Sequence, residues 1–380
     1  MEWIVNTIYY VVPFIILLGI LVFVHEFGHF IIARLCGVQV EAFSIGFGKT
    51  LWSRKDKQGT EWKLSAIPLG GYCQFLGDAD GASTGVDKKK VKKLTKAQKA
   101  KAFAFQNPYK KLAIVLAGPL ANYVFAIIIF AAVFTAFGKM VFPPIVGSVM
   151  DGGAAQKAGI LAEDRIVSVN GRSVSSFDDI RKEVALIDDG NIATLEILRQ
   201  GENLTLTFPI EEMEYSPDCG QTKVKQRMLG IRSVNRVEIE HVKMGFFSAF
   251  KEACVQTWTI TETTLRGVGQ MITGKRSSEE LGGIIRIAEM SGDITKKYGV
   301  LDFLMFMALL SINLGLINLF PIPVLDGGHV VIFLLEIIFR REMNSRVKET
   351  LFKIGFSLLI LLMILATWND VVRLFKRWFM

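Results

Sequence analysis

The sequence predicts an α-helical polytopic membrane protein with about four transmembrane helices, membrane-associated β-hairpin elements and one inserted soluble α+β domain. Three observations carry this. Hydrophobic residues make up 51% of the 380 and mean hydropathy is +0.37, too apolar for an ordinary soluble chain. Four apolar runs, 8–35, 112–137, 303–320 and 351–368, approach or exceed the roughly 20 helical residues that cross hydrocarbon. Between the second and third runs the pattern changes: β-branched residues alternate in IVSVNG and ATLEILRQGENLTLTF, with the turn pairs Asn170-Gly171 and Gln200-Gly201 between them.

Residues 1–37 form the first span. No basic stretch precedes it and no small-residue cleavage site follows, so it is expected to be retained rather than removed as a signal peptide. Residues 38–108 follow as a loop. Its first part, VEAFSIGFGKTLWSRKDKQGTEWKLSAIPLGGYCQFLGD, is β-rich and punctuated by glycine, and Trp62, Leu64 and Ala66 alternate before Pro68 and an expected turn at Gly70-Gly71. That reads as strands and a hairpin at the membrane surface, with the strand carrying Ser65 as an edge open to an extended peptide. DKKKVKKLTKAQKAKAF then reads as a solvated basic loop near anionic lipid.

The second span occupies 109–140 and the soluble domain 141–232. Within 233–298, apolar and small residues from Phe246 to Ile272 recur at three- and four-residue steps. One helical face is therefore greasy, suited to packing on protein or to lying in the membrane interface. Residues 299–380 hold the third and fourth spans.

Charge sets the expected orientation. From Arg34 to Lys111 there are 16 Lys/Arg against 6 Asp/Glu, and from Lys139 to Arg232 there are 11 against 14. By the positive-inside rule the first loop is cytoplasmic and the second extracytoplasmic. The overall net charge of +8 clusters beside spans, so the expected partner is the lipid bilayer and not nucleic acid. Cys36, Cys73, Cys219 and Cys254 are scattered over both expected sides of the membrane, without disulfide or C-x-x-C metal spacing.

The chemistry begins with LGILVFVHEFGHFIIARL, which puts ionisable groups inside a span. His25 and His29 are four apart, so a helix brings both imidazoles to one face within reach of one ion, with Glu26 beside them. Ionisable groups at membrane depth are costly and mark function. A hydrolytic zinc needs a third protein ligand and an open fourth position. His241 lies after the soluble domain without a partner motif and reads as a surface residue, which leaves an acid or His329. In INLGLINLFPIPVLDGGHVVIF the helix breaks at Pro321 and Pro323 and presents Asp326 before a Gly-Gly pair. Broken backbone at this depth survives only where protein or a watery cavity satisfies it. Asp326 could otherwise cap the next helix, with Gly327 and Gly328 as turn residues, but beside His25 and His29 it is the stronger ligand candidate.

These motifs resemble those of the site-2 intramembrane metalloproteases: H-E-F-G-H in the first span, NLFPIPVLDGG in a late one, GPLAN at 118–122, and an insert whose pieces AAQKAGILAEDRIVSVNGRSV and FDDIRKEV resemble a bacterial PDZ domain. The resemblance spans nearly the whole chain. It implies that His25, His29 and Asp326 hold Zn2+ and that Glu26 is the catalytic acid/base. It also implies substrate contact at Asn318, and a substrate-contact or close-packing role for Gly118 and Asn122. His329 is expected to orient the site or pack. There is room for one PDZ domain where some relatives have two. The implied substrates are single-pass transmembrane proteins already cut by another protease, such as an anti-sigma factor, or remnant signal peptides. The implied location is the bacterial inner membrane, with the PDZ domain outside the cytoplasm. A transporter or a metal-free membrane adaptor would explain less, since neither needs Glu26 between two histidines.

Overall fold

The computed structural model describes residues 2–78, 88–185, 187, 192–215, 224–233, 240–274 and 282–379. The chain divides into two compact units, Met1–Ala132 with Phe250–Met380, and Val133–Ala249.

The first unit opens with α1 (Glu2–Leu35), β1 (Val40–Lys55) and β2 (Glu61–Phe75), followed by the short basic helices α2 (Lys88–Lys93) and α3 (Lys96–Lys99) and by the long α4 (Pro108–Phe137). In the second unit come β3 (Lys139–Val141), β4 (Val146–Val149), α5 (Ala154–Lys157), β5 (Arg165–Val169), β6 (Arg172–Ser173), α6 (Phe177–Ala185), β7 (Ile192–Arg199), β8 (Glu202–Pro209), β9 (Glu211–Tyr215), β10 (Val224–Met228), β11 (Ile231–Ser233) and β12 (Glu240–Val242). The chain then forms α7 (Phe246–Ile272), α8 (Ile284–Lys297), α9 (Val300–Asn318), α10 (Asp326–Phe339) and α11 (Ser345–Phe379). Four helical stretches are long and apolar enough to cross a membrane: Tyr9–Leu35, Pro108–Phe137, Val300–Asn318 and Arg346–Phe375. They coincide with the four runs expected.

Helix α4 is the post on which α1 and α9 lean. A Cβ on Gly28 of α1 would fall 2.3 Å from the Ala117 carbonyl oxygen and 2.7 Å from Ala121 Cβ, and one on Gly315 of α9 would fall 2.9 Å from the Pro119 oxygen. Small residues at such crossings let apolar helices approach where no hydrophobic gradient drives them together. The Ser311 hydroxyl of α9 also donates to the Asn122 carbonyl at 2.8 Å.

The β1–β2 layer differs from the expected hairpin. β2 runs unbroken through Pro68 and Gly70-Gly71, and the turn lies at 56–59 instead. The glycine pair serves close approach: a Cβ on Gly70 would meet the Phe47 ring at 2.4 Å, and one on Gly71 would meet the Ser44 oxygen at 2.6 Å and Val22 of α1 at 2.8 Å. β1 also pairs with both ends of β2. Phe43 faces Trp62 on one side and Cys73 on the other, while Trp52 and Arg54 face Leu64 and Trp62. The segment around Ser65 is thus flanked on both sides. The outer edges of this sheet are 52–55 and 71–75, and it is 71–75 that lies against the Glu26 side chain. Phe30, Ala33, Val38, Val40, Phe43 and Ile114 form the core that joins this sheet to α1 and α4.

In α7, whose bounds match the greasy stretch, the packed face is small and hydroxylic. Ala249, Ala253, Thr257 and Thr261 are buried at steps of four, whereas Phe247 is 86% and Trp258 70% exposed. The large apolar residues face outward. The second unit has its own core, including Ile166, Val169, Ile180, Leu195, Ile197 and Phe208, beneath a four-stranded sheet of order β6-β5-β7-β8. It is an α+β unit, as expected. Cys219 lies outside the described residues, as does the side chain of His241.

Candidate metal centre

One turn of α1 separates His25 from His29, and the two rings stand edge to face with centroids 4.9 Å apart. Their Nε2 atoms are 3.3 Å apart. Asp326, the first residue of α10, brings its Oδ2 to 3.1 Å from His25 Nε2 and 3.5 Å from His29 Nε2. Leu325, not Asp326, takes the cap position, and no side chain caps this helix. Gly327 and Gly328 are not turn residues with left-handed backbone. They let the first turn of α10 settle onto the broken segment: a Cβ on Gly327 would meet the Leu319 and Phe320 oxygens at 2.3 Å, and one on Gly328 the Ile322 oxygen at 2.4 Å.

The three atoms suit a tetrahedral ion. For Zn–N and Zn–O bonds of about 2.0–2.1 Å, tetrahedral geometry separates ligand atoms by about 3.3 Å. The observed edges of 3.1, 3.3 and 3.5 Å bracket this value. Asp326 Oδ2 is also buried with no hydrogen-bond donor, which is costly unless a cation takes that place. Among the described residues this is the one His/Cys/Asp/Glu cluster of metal-binding geometry.

Residues of α4 surround the two rings. His29 Nδ1 donates to the Ile114 carbonyl at 2.8 Å, and the Asn122 side-chain amide lies 3.1 Å from His25 Nδ1. A Cβ on Gly118 would fall 2.2 Å from His29 Nε2. The Ile114 contact was invisible in the sequence, because a backbone carbonyl has no residue signature.

Glu26 faces a cavity of about 580 Å³ that His25, His29, Asp326 and His329 also line. The Cys73 backbone hydrogen-bonds the Glu26 carboxylate, and Gly71 leaves β2 room to lie against the Glu26 side chain. The unpartnered edge of β2 contributes Gly71, Tyr72, Cys73 and Phe75 to the same wall. His329 Nε2 is buried without a partner, and its ring packs 5.0 Å from that of Phe352. Asn318 ends α9, half-buried. The cavity lining does not include Asn318, Gly118 or Asn122.

The model of peptidase family M50 matches residues 13–362. Proteins of Rickettsia conorii and Agrobacterium fabrum, both named as candidate zinc metalloproteases, are 41% and 38% identical over 96% and 95% of this chain and 99% and 95% of their own lengths. Metalloprotease MmpA of Caulobacter vibrioides is 33% identical over 95% of each chain. With a His-His-Asp cluster of zinc dimensions beside a glutamate, and a family match over most of its length, the chain belongs to peptidase family M50 and is a zinc metalloprotease.

Proposed function

We propose that the enzyme hydrolyses peptide bonds within the transmembrane segments of single-pass membrane proteins. The observation that carries this reading is that His25, Glu26 and His29 lie within an apolar helix of spanning length, at the wall of a cavity bordered by an unpaired strand edge. A site built there is matched to a bond buried at the same depth.

In this reading His25, His29 and Asp326 hold zinc. Zinc so held supplies an activated water at neutral pH and polarises the scissile carbonyl. Glu26 would serve as the acid/base that accepts a proton on its carboxylate and passes it to the leaving amine, and its contact with the Cys73 backbone keeps it aimed into the cavity. A helical substrate hides its carbonyls in its own hydrogen bonds, so the segment to be cut must first unwind. The 71–75 edge of β2 offers replacement backbone bonds to an extended chain, which moves the holding strand from the Ser65 segment to its far end. Asn318, beyond the lining but on the helix that leads into the break, is assigned to flanking substrate.

The insert is read as a single PDZ domain outside the cytoplasm, supported by the acidic balance of its loop and the strongly basic balance of the loop before it. It would admit substrates by size or by binding a terminus exposed after an earlier cut. The same charge pattern supports a multi-pass protein of the bacterial inner membrane, and the substrate class includes anti-sigma factors and remnant signal peptides.

The test is reconstitution in vesicles with one single-pass substrate. Cleavage mapped by mass spectrometry should fall inside the apolar span, and Glu26→Gln should abolish it while retaining zinc. Cuts confined to soluble segments would refute the proposal.

A further inference from the structure

We infer that one stripe of α4, Ile114, Gly118 and Asn122, is a seat that fixes the tautomer and orientation of both histidines, with Asn122 a positioning residue for His25 through its side-chain oxygen. This rests on the zinc reading above and deepens it.

The three residues are spaced by four, so they share one face of α4. Each touches a candidate ligand. The Ile114 carbonyl can only accept, so His29 must carry its proton on Nδ1, and its Nε2 then presents a lone pair to the Asp326 side of the site. Gly118 lies against the same ring, closely enough to exclude even a methyl group. Steric confinement and a single hydrogen bond thus leave His29 one orientation.

His25 meets the matching problem with a different group. Its Nδ1 lies 3.1 Å from Asn122 Nδ2, while Asn122 Oδ1 is buried without a partner, and the two ends of that amide are alike in shape and opposite in hydrogen bonding. With the nitrogen there the amide donates and drives the imidazole proton to Nε2, among the ligand atoms, and Oδ1 stays orphaned; exchanging the two ends of the amide removes both faults. With the oxygen there, Nδ1 keeps its proton and Nε2 is free to ligate. The ligand tautomer therefore selects the oxygen, as outer partners of metal-bound histidines generally do. Asn122 has little room to swing away: its side chain is wholly buried, and Ser311 anchors its backbone carbonyl at 2.8 Å. Neither Gly118 nor Asn122 reaches the cavity wall, so both act on the ligands and not on the substrate.

The test is zinc affinity, measured by competition with a chelator of known strength, for the full-length parent and the variants Asn122→Asp, Asn122→Leu and Gly118→Ala. Circular dichroism and thermal unfolding monitor the fold. A carboxylate can only accept, so Asn122→Asp should hold zinc within about threefold of the parent. Asn122→Leu, similar in volume but unable to accept, should bind about 10- to 100-fold more weakly, as should Gly118→Ala. Asn122→Ala gives the same reading should the leucine variant fail to fold. If Asn122 only fills space, the order reverses: leucine is tolerated and the buried charge disrupts. That reversal, or parent-like affinity in both the leucine and the alanine variants, overturns the seat. A parent that binds no zinc would instead overturn the zinc reading itself.

Discussion

Ser44 and Ser65 join their hydroxyls at 3.1 Å in the interior of the β1–β2 sheet, and Ser44 also bonds the Gly46 carbonyl at 3.0 Å. Ser65 is 5% exposed. A proline there removes a ladder donor from a strand flanked on both sides, so Ser65→Pro should lower stability along with activity. Selective loss of cleavage in a protein that melts like the parent would show that this segment is a free edge after all.

Strand addition at 71–75 predicts an effect that can be read on the ligand side. In a peptide hydroxamate spanning the cut site, methylating one backbone nitrogen that faces the edge removes about one hydrogen bond, worth about 1 kcal/mol or roughly fivefold in affinity. Methylating its neighbours, which face away, should matter much less. Inhibition constants that do not alternate along the peptide would exclude pairing.

Removal of the metal ligands gives the plainest expectation. The purified protein should hold about one zinc, and His25→Ala or His29→Ala should empty the site and silence the enzyme. His241→Ala should leave both intact. Elemental analysis decides it, and full occupancy in the double histidine variant would dismiss the ligand assignment.

For orientation, single cysteines at Lys96 and Asp178 in a cysteine-free background should label from opposite faces of sealed vesicles. Lys96 should react from the cytoplasmic side and Asp178 from the other. Both sites are exposed, so reaction of both from one side would reject the proposed topology.

At the β1–β2 turn Asp56 accepts from the Gln58 amide at 2.9 Å, the Thr60 amide at 3.0 Å and Trp62 Nε1 at 3.2 Å, and pairs with Arg34. Burial raises its carboxyl, but the bonds from Arg34, Trp62 and the turn amides prevail and hold it down at about 2. An acid held below its ordinary value of about 3.9 stabilises the fold fully above that pH, and the contribution fades as pH falls toward 2. Asp56→Asn should therefore loosen the turn at pH 7 and make no difference once Asp56 is protonated. Emission from a variant keeping Trp62 alone reports it. An equal gap between the two proteins at pH 7 and pH 2 would contradict the linkage.

Much of the site was legible in the sequence because its chemistry forces rare patterns. Two histidines one turn apart in an apolar run, and an acid after a double proline break, have few other uses at that depth, and the structure brings His25, His29 and Asp326 together. What was misread has local causes. A Gly-Gly pair signals a turn by backbone freedom; Gly70 does take a positive φ of 132°, but within a continuous strand, and both glycines leave room for β2 to lie against its neighbours. Alternation of Trp62, Leu64 and Ala66 tells which face each occupies, but not which strands lie alongside, and so the free edge was assigned to the wrong end of β2. In α7 the periodicity was right and left two uses open for the greasy face; the structure turns the aromatics outward, and the alanines and threonines that meet the protein are less conspicuous in the sequence.

The glycines at the helix crossings have a mechanical consequence. Bilayers differ in thickness, and embedded helices answer by tilting or sliding at modest cost. Where α1 meets α4 at Gly28, and where α10 meets the segment before it at Gly327 and Gly328, the backbones already touch. No compressible layer of side chains separates them there. Lipid-driven strain will therefore be taken up toward the outer ends of the helices and in the loosely covered α11. The ligand cluster behaves as a stiff joint, so the catalytic geometry should survive changes of lipid that alter how substrates reach it.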